Sequence, residues 1–332
     1  MTKLNVGLVG AGYLGTIHAR LIAGQDVNWT GVYDKLPERR EKVAADFKGK
    51  PVASLEQLLK ASDCIVVAAA TSAHYETAQI ALNEGKHVFL EKPITTTPEE
   101  GAEIVKLAQD KGLVLQVGHV ERFNRAFRAL GDDYPQPKFV EAHRLSQFKP
   151  RGTDVAVVLD LMIHDLDLIL KMMGEFPSRI DASGVAVISE EADIANARLT
   201  FPSGGVANVT ASRISANPMR KLRMFAADSY IALDFATGAT QVFKLAGADE
   251  ENVPGTLMLG EIDKGAVKRH ILMASPQAPE GNAILMEQEG FFKAIQTGTP
   301  PPVTGEDGLN ALKVATEILN KIGTTEVPTG RE

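Results

Sequence analysis

The sequence predicts an α/β protein with two domains: an N-terminal doubly wound parallel sheet, and a C-terminal α+β domain with a large, mostly antiparallel, open sheet. The first third of the chain alternates short β-type runs with amphipathic helical runs, which is the pattern of βαβ units. From Lys138 onward, strands with alternating apolar residues follow one another with few helices between them. The length of 332 residues fits about two domains, which we expect to span 1–120 and 121–332.

Five parallel strands are predicted in the first domain. They lie at 4–9, 27–33, 64–69, 87–90 and 113–117. Between the first two, Leu14, Ile17 and Leu21 recur at helical spacing, which predicts that these residues form the buried face of a helix.

The second domain is predicted to contain a series of strands followed by two helices. The strands are expected at 139–148, 179–188, 194–201, 206–214, 221–226 and 230–235. The helices are expected at about 283–296 and 306–320, with the last one packing back near the first domain. Residues 247–282 are the least readable stretch of the sequence.

Composition excludes several classes of function. The chain carries 42 acidic and 35 basic side chains, a formal charge of −7 without blocks of like charge, so neither nucleic acid nor an anionic membrane is the expected partner. No apolar stretch approaches the roughly 18 residues of a membrane helix. The single cysteine, Cys64, excludes an intramolecular disulfide and fits a cytoplasmic protein that acts on small molecules.

A glycine-rich turn follows the first strand. Gly10, Gly12 and Gly15 form the pattern Gly-x-Gly-x-x-Gly between a strand and a helix, as in the dinucleotide-binding Rossmann fold. These glycines permit, in order, a tight turn, close approach of a pyrophosphate, and close packing of helix on strand. The helix start at Tyr13 and Leu14 adds N–H donors, so this segment predicts a bound dinucleotide.

Asp34 ends the second predicted strand, about 20 residues beyond the glycines. A carboxylate there accepts hydrogen bonds from ribose hydroxyls and repels a 2′-phosphate, which favours NAD over NADP. Arg39 and Arg40 lie nearby and weaken that preference. The structural alternative is a glycine turn beside a solvated aspartate, against which the strand, turn and helix context argues.

The triplet Glu91-Lys92-Pro93 directly follows a buried strand and therefore stands at the carboxyl edge of the parallel sheet, where ligands of such folds bind. The Lys92 ammonium can hydrogen-bond a reacting hydroxyl or carbonyl and stabilise developing negative charge. Position alone is explained equally well by an exposed Glu/Lys loop.

Asp160, His164 and Asp167 lie in the apolar stretch 155–173 at i, i+4 and i+7, so on a helix they share one stripe. Such groups are costly to bury unless they are paired or face a wet cavity, and the stripe predicts a cleft. His164 can then accept a hydroxyl proton, with Asp160 as its orienting neighbour. The alternatives are a core histidine flanked by surface aspartates, and a metal site, which is disfavoured because this helix has no further His or Cys.

Together these motifs resemble the glucose-fructose oxidoreductase, inositol dehydrogenase and MocA family over nearly the whole chain. The matching features are the glycine loop, Asp34, Glu91-Lys92-Pro93, Asp160-x-x-x-His164 and the segment 303–309. The resemblance implies hydride transfer between NAD(P) and a sugar or polyol hydroxyl. It also implies a homodimer or homotetramer formed through the open sheet.

The resemblance also implies roles for individual residues. Lys92 matches the active-site lysine, Asp160 and His164 match the acid and histidine pair, and Pro93 is expected to follow a cis peptide bond. The residues expected to line the cofactor, besides the glycine loop and Asp34, are Thr71, His74, Glu91 and Lys92.

Within the family, segments 118–124 and 162–167 resemble the branch that oxidises the 3-hydroxyl of UDP-N-acetylglucosamine. Two phosphates need cationic partners. The candidates by charge are Arg122, Lys149, Arg151 and Arg213, each equally explained as a surface cation, and Asp167 is a further candidate substrate contact. Three other functions stay open: a myo-inositol or other polyol dehydrogenase, a non-catalytic NAD- or sugar-sensing regulator, and a reductase of tetrapyrroles or other unsaturated substrates.

Overall fold

The computed structural model describes residues 3–148, 155–247, 255–263, 265 and 268–323, which fall into two compact units. The first unit comprises the described residues of Met1–Val120 together with Asn282–Lys313, and the second comprises those of Glu121–Gly281 and Val314–Glu332. Residues 282–313 therefore belong to the first unit, although the sequence pattern placed them in the second domain. The physical reason is that Phe291 and Phe292 are buried in the hydrophobic core of the first unit.

The first unit is built on a parallel sheet, as predicted. Its strands are β1 (Asn5–Val9), β2 (Asn28–Tyr33), β3 (Cys64–Val67), β4 (His87–Glu91) and β5 (Leu115–Gly118). Their spatial order is β2-β1-β3-β4-β5, and neighbouring strands pair in parallel. The chain leaves β1 first toward β2 and then crosses to β3, so the strand order reverses at β1.

The helices connect these strands and those of the second unit. Within the described residues they are α1 (Tyr13–Ala23), α2 (Pro37–Asp46), α3 (Leu55–Ala61), α4 (His74–Asn83), α5 (Pro98–Asp110), α6 (Arg125–Leu130), α7 (Ile163–Met173), α8 (Ala283–Thr297) and α9 (Gly305–Gly323). Short 3₁₀ turns lie at Thr71–Ala73 and Val120–Phe123, and a π-helical turn lies at Val158–Met162.

The buried face of α1 differs from the prediction. The predicted face was Leu14, Ile17 and Leu21, and Leu14 is exposed. The residues that α1 buries are Gly15, His18, Ala19 and Ile22. Gly15 lies so close to the carbonyl oxygen of Gly10 that a Cβ would clash, and this backbone contact sets the rotation of the helix.

Helices cover both faces of the parallel sheet. On one face Ile22 of α1 and Phe291 of α8 pack in one cluster with Val6 and Leu8 of β1. On the other face a Cβ at Gly7 would touch Leu58 of α3. Because alternate residues of a strand point to opposite faces, this burial explains why β1 reads as a continuous apolar run.

The second unit is built on a mostly antiparallel sheet, also as predicted. Its described strands are β6 (Phe139–Leu145), β7 (Arg179–Val185), β8 (Ile194–Thr200), β9 (Val206–Ser212), β10 (Met219–Phe225), β11 (Ser229–Asp234), β12 (Ala239–Gly247), β13 (Thr256–Asp263) and β14 (Lys268–Ala274). Their order is β13-β14-β12-β11-β10-β6-β9-β8-β7, and β6 pairs with β9 in parallel. The last three strands in the chain were missed by the sequence prediction, and two of them lie in the range 247–282.

Helix α7 is held against this sheet by a buried ion cluster. Arg144 on β6 donates to both oxygens of Asp165 at 2.8 Å, and its remaining nitrogen donates to Glu121 at 2.8 Å. All three side chains are buried. Burial raises the pKa of Asp165, and the charge and hydrogen bonds of Arg144 offset part of this effect.

The buried cluster predicts that loss of the Asp165 carboxylate lowers stability far more than loss of the exposed Asp181 carboxylate. We expect Asp165→Ala to lower the free energy of unfolding by about 3–5 kcal/mol, because Arg144 then keeps its charge in a buried site with one partner lost. Asp181→Ala is the control, since Asp181 pairs with Arg179 on an exposed surface and should leave the denaturation midpoint unchanged. Equal midpoints for both variants in urea denaturation would contradict this account.

Candidate active site

The turn after β1 requires glycine at its first position. Gly10 has φ of +97°, and its N–H donates to the carbonyl of Tyr33 at 2.8 Å. A Cβ at Gly10 would also overlap the backbone of Ala68 after β3. The turn therefore lies in close contact with the ends of both neighbouring strands.

Gly12 stands next to open space. A Cβ at this position would meet nothing within 4 Å, and no side chain caps the N-terminus of α1 at Gly12. The glycine is therefore not required by packing within this chain. An approaching pyrophosphate, bound by N–H groups at the helix start, accounts for it, and the loop fits a dinucleotide.

Asp34 connects the end of β2 to the glycine loop. Its Oδ2 accepts a hydrogen bond from the N–H of Ala11 at 2.7 Å, and its Oδ1 accepts one from Leu36 at 2.9 Å. Each carboxylate oxygen retains acceptor capacity for ribose hydroxyls. Arg40 donates to the backbone carbonyl of Asp34 at 3.0 Å, so it also braces this strand end.

A cavity of about 430 Å³ opens at the carboxyl ends of β1, β2 and β3. This is the reversal point of the strand order, where open α/β sheets bind their ligands. Its lining includes Gly10, Gly12, Asp34, Arg39, Ala70 and Ser72. Thr71 lies in the 3₁₀ turn between two of these residues, and Tyr13 and Leu14 are exposed in the first turn of α1.

Lys92 is half-buried and follows the last residue of β4, at the same edge of the sheet as the cavity. The peptide bond between Lys92 and Pro93 is cis, as expected from the family resemblance. Strand β3 separates β4 from β1, and at a strand spacing of about 4.8 Å the two strands lie about 10 Å apart. A dinucleotide bound along the sheet edge spans such a distance.

His74 is buried and does not border this cavity, so its expected contact with the cofactor stays a prediction. The ring is buried, with Nδ1 at 2.9 Å from the carbonyl oxygen of Pro93 and Nε2 at 3.2 Å from that of Ala69. Burial lowers the pKa of His74 by more than these carbonyls raise it. His74 therefore connects the segment that follows β3 to the segment that follows β4, and so helps to position Lys92 and Pro93.

Glu91 is also buried rather than exposed to a cofactor. Its Oε1 lies 2.7 Å from Nε2 of His18 on α1, and its Oε2 accepts the N–H of Lys92 at 3.3 Å. Burial opposes ionisation, but the hydrogen bond and charge interaction with His18, and then the charge of Lys92, hold the pKa of Glu91 below its ordinary value. His18 was missed by the sequence reasoning, although it stands three residues after Gly15 on the face that must approach the sheet.

In the second unit, Asp160 lies in the π-helical turn and His164 in the first turn of α7. Both side chains are half-buried. The predicted stripe assumed one regular α-helix, whereas the π turn changes the angular spacing between residues 160 and 164. Single π turns occur frequently at functional sites, since they redirect one side chain without ending the helix.

Two of the predicted substrate contacts are paired with each other. Arg122 donates to Oδ2 of Asp167 at 2.8 Å and to Oδ1 at 2.6 Å, and both side chains are almost fully buried. A bidentate pair of this kind commits the guanidinium fork and both carboxylate oxygens. Asp167 therefore does not share a wet stripe with Asp160, and Arg122 anchors α7.

The other residues considered as phosphate ligands are Arg213, Lys149 and Arg151. Arg213 is buried, its side chain donates to the carbonyl of Val155, and its backbone N–H donates to the backbone carbonyl of Asp193 at 3.0 Å. It therefore braces the segment that leads into the π turn. Lys149 and Arg151 lie outside the described residues.

Two further observations concern other classes of ligand. Among the described residues, no group of three or more His, Cys, Asp or Glu side chains is placed to hold a metal ion. None of the described helices combines the length and the apolar character needed to cross a bilayer.

A parallel sheet with a dinucleotide loop, joined to a second unit with its own sheet, defines a class of NAD-binding oxidoreductases. Residues 4–119 match the family described as an oxidoreductase family with an NAD-binding Rossmann fold, and residues 124–231 match the Gfo/Idh/MocA C-terminal domain. The chain belongs to the Gfo/Idh/MocA oxidoreductase family.

The chain is also similar to named relatives and to solved structures. UDP-N-acetylglucosamine 3-dehydrogenase from Acidithiobacillus ferrooxidans is 33% identical over 319 residues, covering 96% of this chain and 97% of that protein. A solved structure of that dehydrogenase has a TM-score of 0.86 at 32% identity, and covers 97% of this chain and 98% of its own. Myo-inositol 2-dehydrogenase from Thermotoga maritima is 25% identical, covering 93% of each chain. Scyllo-inositol dehydrogenase from Lactobacillus casei, solved with NAD(H) and scyllo-inositol, shares the fold with a TM-score of 0.77 at 19% identity over 98% of each chain.

The structure of the glycine loop predicts that alanine at Gly12 affects NAD binding, whereas alanine at Gly15 affects stability. Gly12→Ala should leave the melting temperature of the cofactor-free protein unchanged and weaken NAD binding by about tenfold or more, because the methyl group occupies space that the pyrophosphate needs. Gly15→Ala should lower the melting temperature itself, because its Cβ would clash with the Gly10 carbonyl.

Calorimetric NAD titration and thermal unfolding measure these effects. Gly260→Ala in β13 is the control, since its Cβ would also meet nothing within 4 Å. Normal NAD affinity in Gly12→Ala would show that the loop does not hold the pyrophosphate.

Proposed function

We propose that this oxidoreductase is an NAD-dependent dehydrogenase that oxidises a sugar hydroxyl, with the 3-hydroxyl of UDP-N-acetylglucosamine as the substrate group. The single observation that carries the proposal is the placement of Lys92 at the same sheet edge as the Gly10–Gly15 loop and Asp34. The named relative from Acidithiobacillus ferrooxidans, similar over nearly the full length of both chains, supports the choice of substrate.

The residues of this chain have distinct tasks in the proposed reaction. The glycine loop and Asp34 hold the dinucleotide, whose oxidised nicotinamide supplies the hydride acceptor when bound. Lys92 hydrogen-bonds the substrate oxygen and stabilises its developing negative charge. His164 accepts the hydroxyl proton, and Asp160 orients the imidazole. The substrate carbon thus loses a hydride and its oxygen loses a proton, which leaves a ketone.

A polyol dehydrogenase is the second candidate. The bidentate pairing of Arg122 with Asp167 favours it, because this pairing removes one cation from those available to a diphosphate. The myo-inositol dehydrogenase relative from Thermotoga maritima is similar over most of the chain. The two candidates differ in whether UDP on the substrate is required.

A substrate panel tests the proposal. Purified protein with NAD is given UDP-N-acetylglucosamine, free N-acetylglucosamine, myo-inositol or scyllo-inositol, and NADH absorbance is followed. We expect turnover with the nucleotide sugar, and a fall of about 100-fold or more in Lys92→Met and His164→Ala with NAD affinity nearly unchanged.

Lys106→Met is the control, since Lys106 is exposed and pairs with Asp110 on α5. Turnover with the inositols alone would favour the polyol candidate. Absence of NADH with every compound, or normal turnover in Lys92→Met, would overturn the dehydrogenase mechanism.

We also infer that a second copy of the chain covers the exposed face of the second unit's sheet, giving a homodimer or homotetramer, and that the protein works in the cytoplasm. Aromatic rings form a row across β6, β10, β11 and β12 on that face. The centroid distances are 5.9 Å from Phe139 to Phe225, 4.8 Å from Phe225 to Tyr230, and 5.5 Å from Tyr230 to Phe243. The one cysteine of the sequence, Cys64, is buried and cannot form an intramolecular disulfide, which fits a reducing compartment.

Sedimentation tests the inferred assembly. Phe225→Asp should reduce the molar mass to that of a smaller assembly, because a carboxylate on this face opposes burial of the aromatic row. Phe176→Asp is the control, since Phe176 is an exposed aromatic residue outside the sheet. A monomeric wild-type protein, or an unchanged mass for Phe225→Asp, would contradict the inference.

A further inference from the structure

Glu91, the residue before Lys92, is linked by a series of hydrogen bonds to three residues that have no part in the proposed mechanism: His18, Gln288 and Gln25. Glu91 Oε1 lies 2.7 Å from Nε2 of His18, and Nδ1 of His18 lies 2.7 Å from Nε2 of Gln288 on α8. The Gln288 oxygen in turn accepts from Gln25 at 2.6 Å. Glu91, His18 and Gln288 are all buried.

Two backbone carbonyls set the direction of these hydrogen bonds. The amide nitrogen of Gln25 donates to the carbonyl of Leu21 at 3.4 Å, and the amide nitrogen of Gln288 lies 3.5 Å from the carbonyl of His18. A carbonyl only accepts, so these nitrogens are the donors and the Gln288 oxygen faces Gln25. Nδ1 of His18 therefore accepts from Gln288, and the proton on Nε2 is donated to Glu91.

The Glu91 carboxylate is confined from several sides. His18 holds one oxygen, and the N–H of Lys92 holds the other at 3.3 Å. A Cβ at Gly118 of β5 would approach the same Oε2 to 3.0 Å, so a side chain at that position would press on the carboxylate. These two hydrogen bonds and the neighbouring Lys92 cation stabilise the carboxylate form of Glu91.

We propose that His18 is a positioning residue of the dehydrogenase, which acts through Glu91 to hold Lys92 at the sheet edge, and that Gln288 selects the required imidazole tautomer. The inference rests on the proposed function of Lys92. A purely structural filler of this space would be apolar, because a buried imidazole and carboxylate carry a desolvation cost that packing does not require. We call the hydrogen-bonded series Gln288, His18 and Glu91 the relay. It also connects α1, the helix after the dinucleotide loop, with β4, the strand that precedes Lys92.

The first test separates the hydrogen bond from the volume of the side chain. His18→Leu should lower kcat about 10- to 100-fold on the best substrate of the panel, because Lys92 is displaced, while the Kd for NAD changes by less than about twofold. His18→Gln keeps an N–H donor toward Glu91 and should recover most of kcat. His87→Leu, at the opposite end of β4, is the matched control and should turn over normally.

The pH profile distinguishes this role from a loss of packing. The titratable groups facing the Glu91 carboxylate are His18 from α1, Lys92 on its own segment and His74 from α4. Without the His18 donor, burial raises the pKa of Glu91, so more of it is protonated as the pH falls. The deficit of His18→Leu should thus be greatest at low pH and shrink as the pH rises, whereas His18→Gln should follow the wild-type profile.

Nitrogen NMR of the imidazole in the cofactor-free protein provides a readout that needs no turnover. We expect the shifts of a ring protonated at Nε2 alone, and a change in this pattern in Gln288→Met. A ring protonated at Nδ1, or an unchanged pattern in Gln288→Met, would overturn the relay.

The two proposals fail in different ways. If Lys92→Met turns over normally, the proposed function is wrong. If Lys92→Met is inactive while His18→Leu and His18→Gln match wild type at every pH, only the relay is wrong. Should His18→Leu not fold, the NMR pattern of His18 in wild type and in Gln288→Met still decides between the two.

Discussion

The contact between Gly15 and the carbonyl of Gly10 is the constraint on which the first unit depends. It is a backbone contact, possible only where a residue has no Cβ, and it brings α1 down onto β1. The helix N-terminus is thereby aimed at the loop beside Asp34. The same contact turns His18 inward, toward the end of β4. One close approach therefore orients both the dinucleotide cradle and the residues behind Lys92.

The parts of the fold that sequence predicts well are those set by local chemistry. Buried parallel strands read as apolar runs, and the glycine spacing is legible because each glycine meets a separate steric demand. The rotation of α1 was predicted wrongly, since Leu14, Ile17 and Leu21 satisfy the helical period but the backbone contact at Gly15 overrides it. Strand β13 was missed because Leu257, Met258 and Leu259 are all exposed at the sheet edge, so the usual alternation is absent.

Sequence predicts the candidate site less completely than it predicts the fold. Glycines, Asp34 and Lys92 are placed by the strands that precede them, so their common edge follows from topology. The ion-pair partners of buried charged residues cannot be predicted from the strand order. Asp167 pairs with Arg122 across 45 residues of sequence, and Asp165 pairs with Arg144 across 21. The cost of desolvation means that each buried acid needs a partner, but it does not say which cation is that partner. For this reason the sequence offered Arg122 only as a candidate for substrate phosphate or as a surface cation.

The division of the chain has a consequence for its biosynthesis. The first unit is interrupted by the second, since Phe291 and Phe292 complete a core that begins with Leu4. A ribosome releases the parallel sheet long before the helix that covers it, so one apolar surface of the nascent protein stays uncovered through more than a hundred and fifty further residues of translation. We expect chaperone protection of that intermediate, or early folding of the intervening unit, to raise the yield of native protein.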